Sequence, residues 1–230
     1  MLSDDSRKGQ AAAVLFSAGL DSAVLLAFAA AAGPVQPIYV SSGLAWEAAE
    51  RAAAQRLLDA PPYRGRVSPM TTLTVDMRDV YPASHWAVRG VAPAFDTPDE
   101  DVYLEGRNIV LLSKTSVYMA RQGLRRVLMG QLGGNPFPDA TPQFFDAVAR
   151  ALTLGLGVPI HVEAPFSALH KEDVIRKGAD LGVPFELTLS CMQPEDGLHC
   201  GRCSKCRERR DAFREAGIED PTTYREKPIR

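Results

Sequence analysis

After a polar lead of about ten residues, Ala11-Ala12-Ala13-Val14-Leu15-Phe16 runs without a polar interruption. Such a run predicts a strand buried on both faces of a parallel sheet, since a strand with one wet face would alternate. A break of small and polar residues follows, Ser17-Ala18-Gly19-Leu20-Asp21-Ser22, and then Ala23 to Ala32 is apolar over a helical length and stops at Gly33-Pro34. The unit is strand, small-residue loop, helix. It recurs more loosely as Pro37-Ile38-Tyr39-Val40 with a helix from about Trp46 to Leu58, and as Leu73-Thr74-Val75 with a less regular segment. A helix from about Asn108 to Gln122, a strand Arg126-Val127-Leu128-Met129-Gly130, a helix from Pro142 to about Leu154, a strand Ile160-His161-Val162 and a helix from Lys171 to Leu181 complete the series. Strands alternating with helices predict an α/β protein, a parallel twisted sheet with helices on both faces. From Ser84 to Gly106 the chain is rich in Pro and Asp and has no period, so a long loop over the sheet's edge is predicted there.

Composition narrows this picture. A chain of 230 residues supports one large domain, or one domain with an appendage. With 46% hydrophobic and 23% charged residues it is an ordinary globular protein rather than a disordered or fibrous one. The longest apolar stretch, Ala23 to Ala32, falls far short of the roughly 20 residues of a membrane span, and no apolar signal core opens the chain, so a cytoplasmic protein is expected. A formal net charge of -2 gives no overall attraction to a polyanion, which makes nucleic acid a poor default partner.

The loop after the first strand carries the first chemistry. Open parallel sheets bind ligands beyond the carboxyl ends of their strands, where residues 17–22 fall. Small residues at Ser17, Ala18 and Gly19 let backbone N–H groups approach oxygens, Ser17 and Ser22 add hydroxyls, and the next helix aims its positive end at the same spot. The loop lacks both the Lys-Ser/Thr ending of a P-loop and a Gly-x-Gly-x-x-Gly pattern. Asp21 would repel a bare phosphate unless Mg²⁺ bridges the two or the residue caps the helix. A plain tight turn with Asp21 or Ser22 as N-cap is the alternative reading of the same residues.

The four cysteines carry the second. Cys191, Cys200, Cys203 and Cys206 run as C-x8-C-x2-C-x2-C, a clustering that in a reducing compartment reads as metal ligands before disulfides. Four thiolates suit a closed tetrahedral Zn²⁺ site with bonds of about 2.3 Å, structural because no position stays open. Gly201 would free the tight turn, Arg202, Lys205 and Arg207 would offset the negative charge, and the metal would clamp a loop-rich C-terminal segment. An iron–sulfur cluster fits the same spacing, and two disulfides are a third option. His199 is expected beside the site or at the surface rather than as a ligand. Asn135 and Asp139, in Gly133-Gly134-Asn135-Pro136-Phe137-Pro138-Asp139 after a predicted strand end, are candidates to line the pocket and bind a substrate's polar edge, with a turn as the alternative explanation of the same residues.

Phe16-Ser17-Ala18-Gly19-Leu20-Asp21-Ser22 is similar to the Ser-Gly-Gly-x-Asp-Ser loop of the ATP pyrophosphatase (PP-loop) superfamily, whose members adenylate a substrate and release pyrophosphate. Taken in order with Glu105-Gly106-Arg107-Asn108 and with Ser190-Cys191 … His199-Cys200-Gly201-x-Cys203-x-x-Cys206-x-x-Arg209, it makes the chain resemble the 7-cyano-7-deazaguanine synthase family from about residue 12 to 216. The resemblance implies an adenine nucleotide alpha hydrolase-like fold, with residues 1–186 as the PP-loop domain and 187–230 as a zinc-binding segment packed on it. It also implies ATP, Mg²⁺ and Zn²⁺, a small carboxylate substrate, ammonia, and a homodimer. Residues Phe16 to Ser22 would hold the nucleotide, with Ser17, Asp21 and Ser22 catalytic. Arg107 and Asn108 would contact ATP or substrate, and Lys171 would stabilise the α-phosphate. The reaction implied adenylates 7-carboxy-7-deazaguanine, lets ammonia displace AMP, and converts the amide to a nitrile with a second ATP.

Two departures stand out. Ala18 replaces the first glycine of the loop, and if that position needs positive φ the methyl costs about 1 kcal/mol. After the second strand, where the family carries Tyr-Gly-Gln-Arg-His, this chain has Tyr39-Val40-Ser41-Ser42-Gly43-Leu44-Ala45-Trp46, so a different carboxylate is an open alternative. Thiolation of tRNA by the same loop would need spare cysteines, and none is spare. A nucleotide-binding regulator without catalysis is the remaining alternative, opposed by the retained Ser17, Asp21 and Ser22.

Overall fold

A computed structural model describes residues 11–226; the polar lead and the last four residues lie outside the described part. Five parallel strands, β1 (Ala12–Leu15), β2 (Val35–Ser41), β3 (Thr71–Thr74), β4 (Arg126–Leu128) and β5 (His161–Glu163), form one sheet in the order β3-β2-β1-β4-β5. The helices are α1 (Leu20–Ala32), α2 (Glu47–Leu58), α3 (Trp86–Arg89), α4 (Arg107–Gln122), α5 (Pro142–Leu156), α6 (Lys171–Asp180) and α7 (Ser204–Ala216).

Central β1 explains its own uninterrupted apolar run. Ala12, Val14 and Phe16 enter a core with α1, α2, α6 and α7 on one face of the sheet, whereas Ala13 and Leu15 meet α4 and α5 on the other. Each fully buried Val or Leu there contributes on the order of 1.5–3 kcal/mol. Helix α1 is buried nearly all round, from Ala23 through Leu26, because α6 packs on its far side. Pro37 sits inside β2, a central strand. It is tolerated because its missing N–H falls on the β3 side, where pairing starts only at Ile38 with Thr71.

Two expectations need correction. The C-terminal segment is not loop-rich, since α7 buries a stripe made of Cys206, Arg209, Ala212 and Phe213. A buried arginine hid that stripe. The guanidinium of Arg209 donates to Thr222 Oγ1 (2.6 Å), Thr188 Oγ1 (2.7 Å), Ser190 Oγ (3.2 Å) and the Phe185 carbonyl (2.8 Å), which makes its burial tolerable. Residues 84–106 do not drape over the sheet's edge. They hold α3 and a 3₁₀ turn at Asp99–Val102, and Ala87, Val102 and Leu104 form a third core with Leu44, Trp46, Tyr81 and Met192. Ala94 bridges to Cys203, so this segment ties the loop after β2 to the cysteine segment. Among the described residues no helix is long and apolar enough to cross a membrane.

Candidate active site

Strands β1 and β4 are neighbours whose following helices leave to opposite faces, so their carboxyl-end loops diverge and open a crevice. A cleft of about 550 Å³ lies there, with Ser17, Asp21, Arg107, Asn135, Asp139 and Lys171 on its walls. A smaller hollow of about 220 Å³ adjoins it beside Ile38, Tyr39 and Leu111, and shares Ser17, Asp21, Glu50 and Arg107 with the first. Gly130, just past β4, packs against the backbone of Asp21 and Ser22, which brings the two loops together.

In the first loop Ala18 adopts φ +63° with its methyl buried, so the condition attached to this departure is met. Its carbonyl accepts the Leu189 N–H at 2.8 Å, which anchors the loop to the segment leading into the cysteines. Gly19 occupies the N-cap of α1 without any side-chain cap, so neither Asp21 nor Ser22 plays the capping role of the tight-turn alternative. The hydroxyls brace the loop: the Ser17 N–H donates to Ser22 Oγ (3.3 Å), the Gly19 N–H to Ser17 Oγ (3.3 Å), and Ser22 Oγ to the Gly19 carbonyl (3.0 Å). The first-turn amides of α1 are thereby left for an anion. Phe16 and Leu20 bury their side chains in the core behind the loop, while Leu20 also borders the cleft and Phe16 the smaller hollow.

Beside this anion seat stands a chain of charges. Lys171 Nζ, from the first turn of α6, is 3.2 Å from Asp21 Oδ2 and bonds Glu208 Oε1. Glu208 Oε2 accepts Lys205 Nζ at 2.7 Å. Burial works against the Lys171 charge, but the two carboxylates outweigh it and hold the ammonium above its ordinary pKa. Burial pushes Asp21 up while Lys171 opposes it. Asp21 Oδ1 is shielded from solvent with no hydrogen-bond partner, an orphan oxygen that suits a hard cation such as Mg²⁺. Glu208 was missed in the sequence, and Lys205 was read there only as offsetting the cysteine charge, whereas it pairs with Glu208. Their signal is the spacing of three on α7, inside the cysteine block.

Arg107 opens α4 and faces both hollows, and its buried Nε has no partner. Asn108 and Asp139 are committed to each other: the Asn108 N–H donates to Asp139 Oδ2 (3.0 Å), and Asn108 Nδ2 to the Asp139 carbonyl (3.0 Å) and Oδ1 (3.3 Å). The Asp139 carboxylate thus fixes the start of α4. Asn135 Oδ1 accepts the Phe137 N–H at 2.9 Å and closes a turn, leaving its Nδ2 as donor.

Where the Gln-Arg-His stretch is missing, the structure puts aromatic rings and acids. Trp46 stacks on Trp86 (centroids 5.6 Å, 16° between planes) and Tyr103 on Phe137 (4.9 Å, 26°), and all four line the cleft. Glu47 receives Ser41 Oγ (2.5 Å) and the N–H groups of Ser42 (2.6 Å) and Gly43 (3.0 Å), which shapes the loop after β2. Glu50 accepts the Tyr39 hydroxyl at 2.7 Å. Burial pushes its carboxyl up to about 7, against the pull of Arg107 and Tyr39.

The cysteine sulfurs lie within 4.8 Å of one another, with pairs at 3.5 and 3.9 Å, and no disulfide joins them. Tetrahedral bonds of about 2.3 Å place sulfurs about 3.8 Å apart, so the four residues fit zinc. The Gln193 and Cys200 N–H groups donate to Cys191 Sγ at 3.3 Å, as thiolates favour. Charge compensation by Arg202 is corrected: its guanidinium pairs with Glu195 and Glu226 instead. Gly201 is required, with φ +84° and no room for a Cβ against the Glu226 carbonyl. His199 is buried, not superficial. Its Nε2 accepts the Ser190 N–H at 3.1 Å, and burial with the nearby Arg209 charge pulls its pKa down to about 3.

Comparison with known proteins agrees with this arrangement. A relative named 7-cyano-7-deazaguanine synthase from Methanopyrus kandleri is 35% identical over 240 residues, covering 93% of this chain and 98% of its own length. Another of that name from Anaeromyxobacter dehalogenans is 34% identical over 223 residues, covering 93% and 95%. Among solved structures, one from Methanocaldococcus jannaschii, described as a predicted subunit of tRNA methyltransferase, shares the fold with TM-score 0.50 at 12% identity, over 96% of this chain and 92% of its own. The family profile described as "Queuosine biosynthesis protein QueC" matches residues 11–217, and this chain belongs to that family.

Proposed function

We propose that this protein is an ATP-dependent carbon–nitrogen ligase of the 7-cyano-7-deazaguanine synthase type. It adenylates 7-carboxy-7-deazaguanine with release of pyrophosphate, lets ammonia displace AMP to give the amide, and uses a second ATP to turn the amide into the nitrile. A carboxylate resists ammonia because oxide is a poor leaving group, and adenylation supplies a good one while the site holds the partners together. One observation carries the nucleotide half of this reading: the uncapped start of α1, with Ser17 and Ser22 beside it and Asp21 and Lys171 at its edge.

In this reading the amides of residues 20–22 and the two serine hydroxyls hold the leaving pyrophosphate. Asp21 Oδ1 would hold Mg²⁺, which screens the phosphate charge when bound. Lys171, kept cationic by Asp21 and Glu208, faces the α-phosphate as charge is transferred. Arg107 offers its unpartnered Nε to ATP or to the acid, and Asp139 keeps Asn108 and the start of α4 in place for it. The flat ring lies against Trp46 and Trp86, with Asn135 Nδ2 reaching its polar edge. Zinc at Cys191, Cys200, Cys203 and Cys206 would supply a clamp and no chemistry. The division into residues 1–186 and 187–230 follows from these roles. All four cysteines fall in the cluster, so none is left to hydrolyse glutamine and ammonia arrives from outside. The protein acts in the cytoplasm on a free small molecule, as a homodimer that sedimentation of the full chain would detect.

The test is pyrophosphate release from ATP and Mg²⁺ with the candidate acid and ammonium. Wild type releases it only when the acid is present, and Asp21→Asn lowers the rate by about 100-fold or more. ATP binding without release would leave a nucleotide-binding module and overturn the ligase reading.

A further inference from the structure

Ammonia reaches a site at neutral pH mostly as ammonium, whose pKa of roughly 9 lies between those of α-amino and lysine groups, so only about a hundredth is free base. Attack on an acyl carbon needs the nitrogen lone pair. Some group in the cleft must therefore take a proton first.

Among the described residues the carboxylates lining the cleft are Asp21, Glu50, Asp139, Glu172 and Glu208. Asp21 is set against Lys171, both oxygens of Asp139 are taken by Asn108, and both oxygens of Glu208 face lysines. Glu172 stands on the first turn of α6 with its side chain partly in solvent. Glu50 differs from all of these. It is buried, yet it borders both the larger cleft and the smaller hollow, whose walls also share Ser17, Asp21 and Arg107. One of its oxygens, Oε2, is held by the Tyr39 hydroxyl. The charged and titratable groups facing it are Tyr39 from β2, Arg107 from α4 and Glu47 from its own helix. Arg107 favours the ionised carboxylate, while burial and Glu47 favour the protonated acid, so both forms lie within reach near neutrality. Trp46 and Trp86 line the same cleft, and an indole ring attracts an ammonium ion held against it.

We propose that Glu50 is the proton acceptor of the amide-forming step, binding ammonium, taking one proton, and leaving NH₃ beside the acyl-adenylate. The nitrogen lone pair forms the C–N bond, and the C–O bond to AMP breaks with its electron pair staying on the phosphate. The second proton lost from nitrogen leaves with AMP to solvent. The proposal rests on the adenylation reading above, and its test separates the two.

The test uses full-length, zinc-loaded wild type and Glu50→Gln, which keeps the shape and the bond from Tyr39. Three quantities are measured: acid-dependent exchange of pyrophosphate into ATP, hydroxamate formation with hydroxylamine, and amide formation from ammonium. Hydroxylamine is already a free base at neutral pH and needs no proton acceptor before it attacks. Exchange and hydroxamate formation in the variant stay within about 3-fold of wild type, whereas amide formation at pH 7 falls about 100-fold. The amide defect shrinks as pH is raised toward 9, where ammonium gives up its proton unaided. Unchanged amide formation overturns the proposal, and so does a fall of all three rates together, which would make Glu50 a shaping residue only. Wild type without acid-dependent exchange overturns the adenylation reading itself.

Discussion

At Ala18 three small effects nearly cancel. Positive φ costs an L-residue roughly 1–2 kcal/mol, but glycine there would give up a buried methyl worth about 0.8 kcal/mol and loosen the unfolded chain by about 0.4–1 kcal/mol. Ala18→Gly is therefore expected to change stability by less than about 1 kcal/mol in urea unfolding. Ala18→Val, β-branched and larger in a filled space, should cost more than about 2 kcal/mol. Glu50 makes the opposite kind of claim, because its buried carboxyl costs stability. Its pKa is about 7 folded against an ordinary 4.5, so the native state binds the proton more tightly and stability falls as pH rises through that window. Glu50→Gln should match wild type near pH 4.5 and exceed it at pH 8 by at most roughly 3 kcal/mol, read from urea unfolding at the two pH values. Ser17, Asp21, Ser22 and the cysteines were legible as residues because their chemistry needs little context. Glu50 was not, since a glutamate on a helix looks solvated until Tyr39 and Arg107 are placed around it.

Among the elements, the start of α4 depends on a residue 31 positions downstream. Asp139→Ala removes the acceptor for the Asn108 N–H and for Nδ2, and the loss of such buried bonds should cost about 1–3 kcal/mol in urea unfolding. ATP affinity, measured by calorimetry, should fall with it, because Arg107 sits on the same turn. Strands and helices of regular period were read correctly from β1 through α6, each within a few residues. Helix α7 was missed because a cysteine and an arginine occupy the first part of its buried face, ahead of Ala212 and Phe213. The 84–106 segment was read as a plain loop because its apolar residues are scattered, and only their shared core with Trp46 and Met192 shows them to be a wall of the cleft.

For the whole molecule, the cysteine cluster and the cleft are one construction. Helix α7 carries Cys206 and, two residues on, Glu208, which bonds the Lys171 ammonium, while Leu189 just before Cys191 anchors the carbonyl of Ala18. Purified protein should contain about one zinc per chain by metal analysis. Removal by a chelator should lower the thermal midpoint and abolish ATP binding together, because the clamp and the anion seat share these contacts. The sequence by itself determined the parallel α/β class, the small-residue loop after β1 and the clustering of the four cysteines. Those rest on local periodicity, on small residues in a tight turn and on short spacings, which survive without knowledge of distant partners. Only the tertiary structure decided that Asp139 serves Asn108, that Trp46 and Trp86 replace a missing polar stretch, and that Glu50 borders both the cleft and the adjoining hollow. Each of those depends on groups far apart in the chain meeting where water is excluded, and burial together with partners sets what a polar side chain can do.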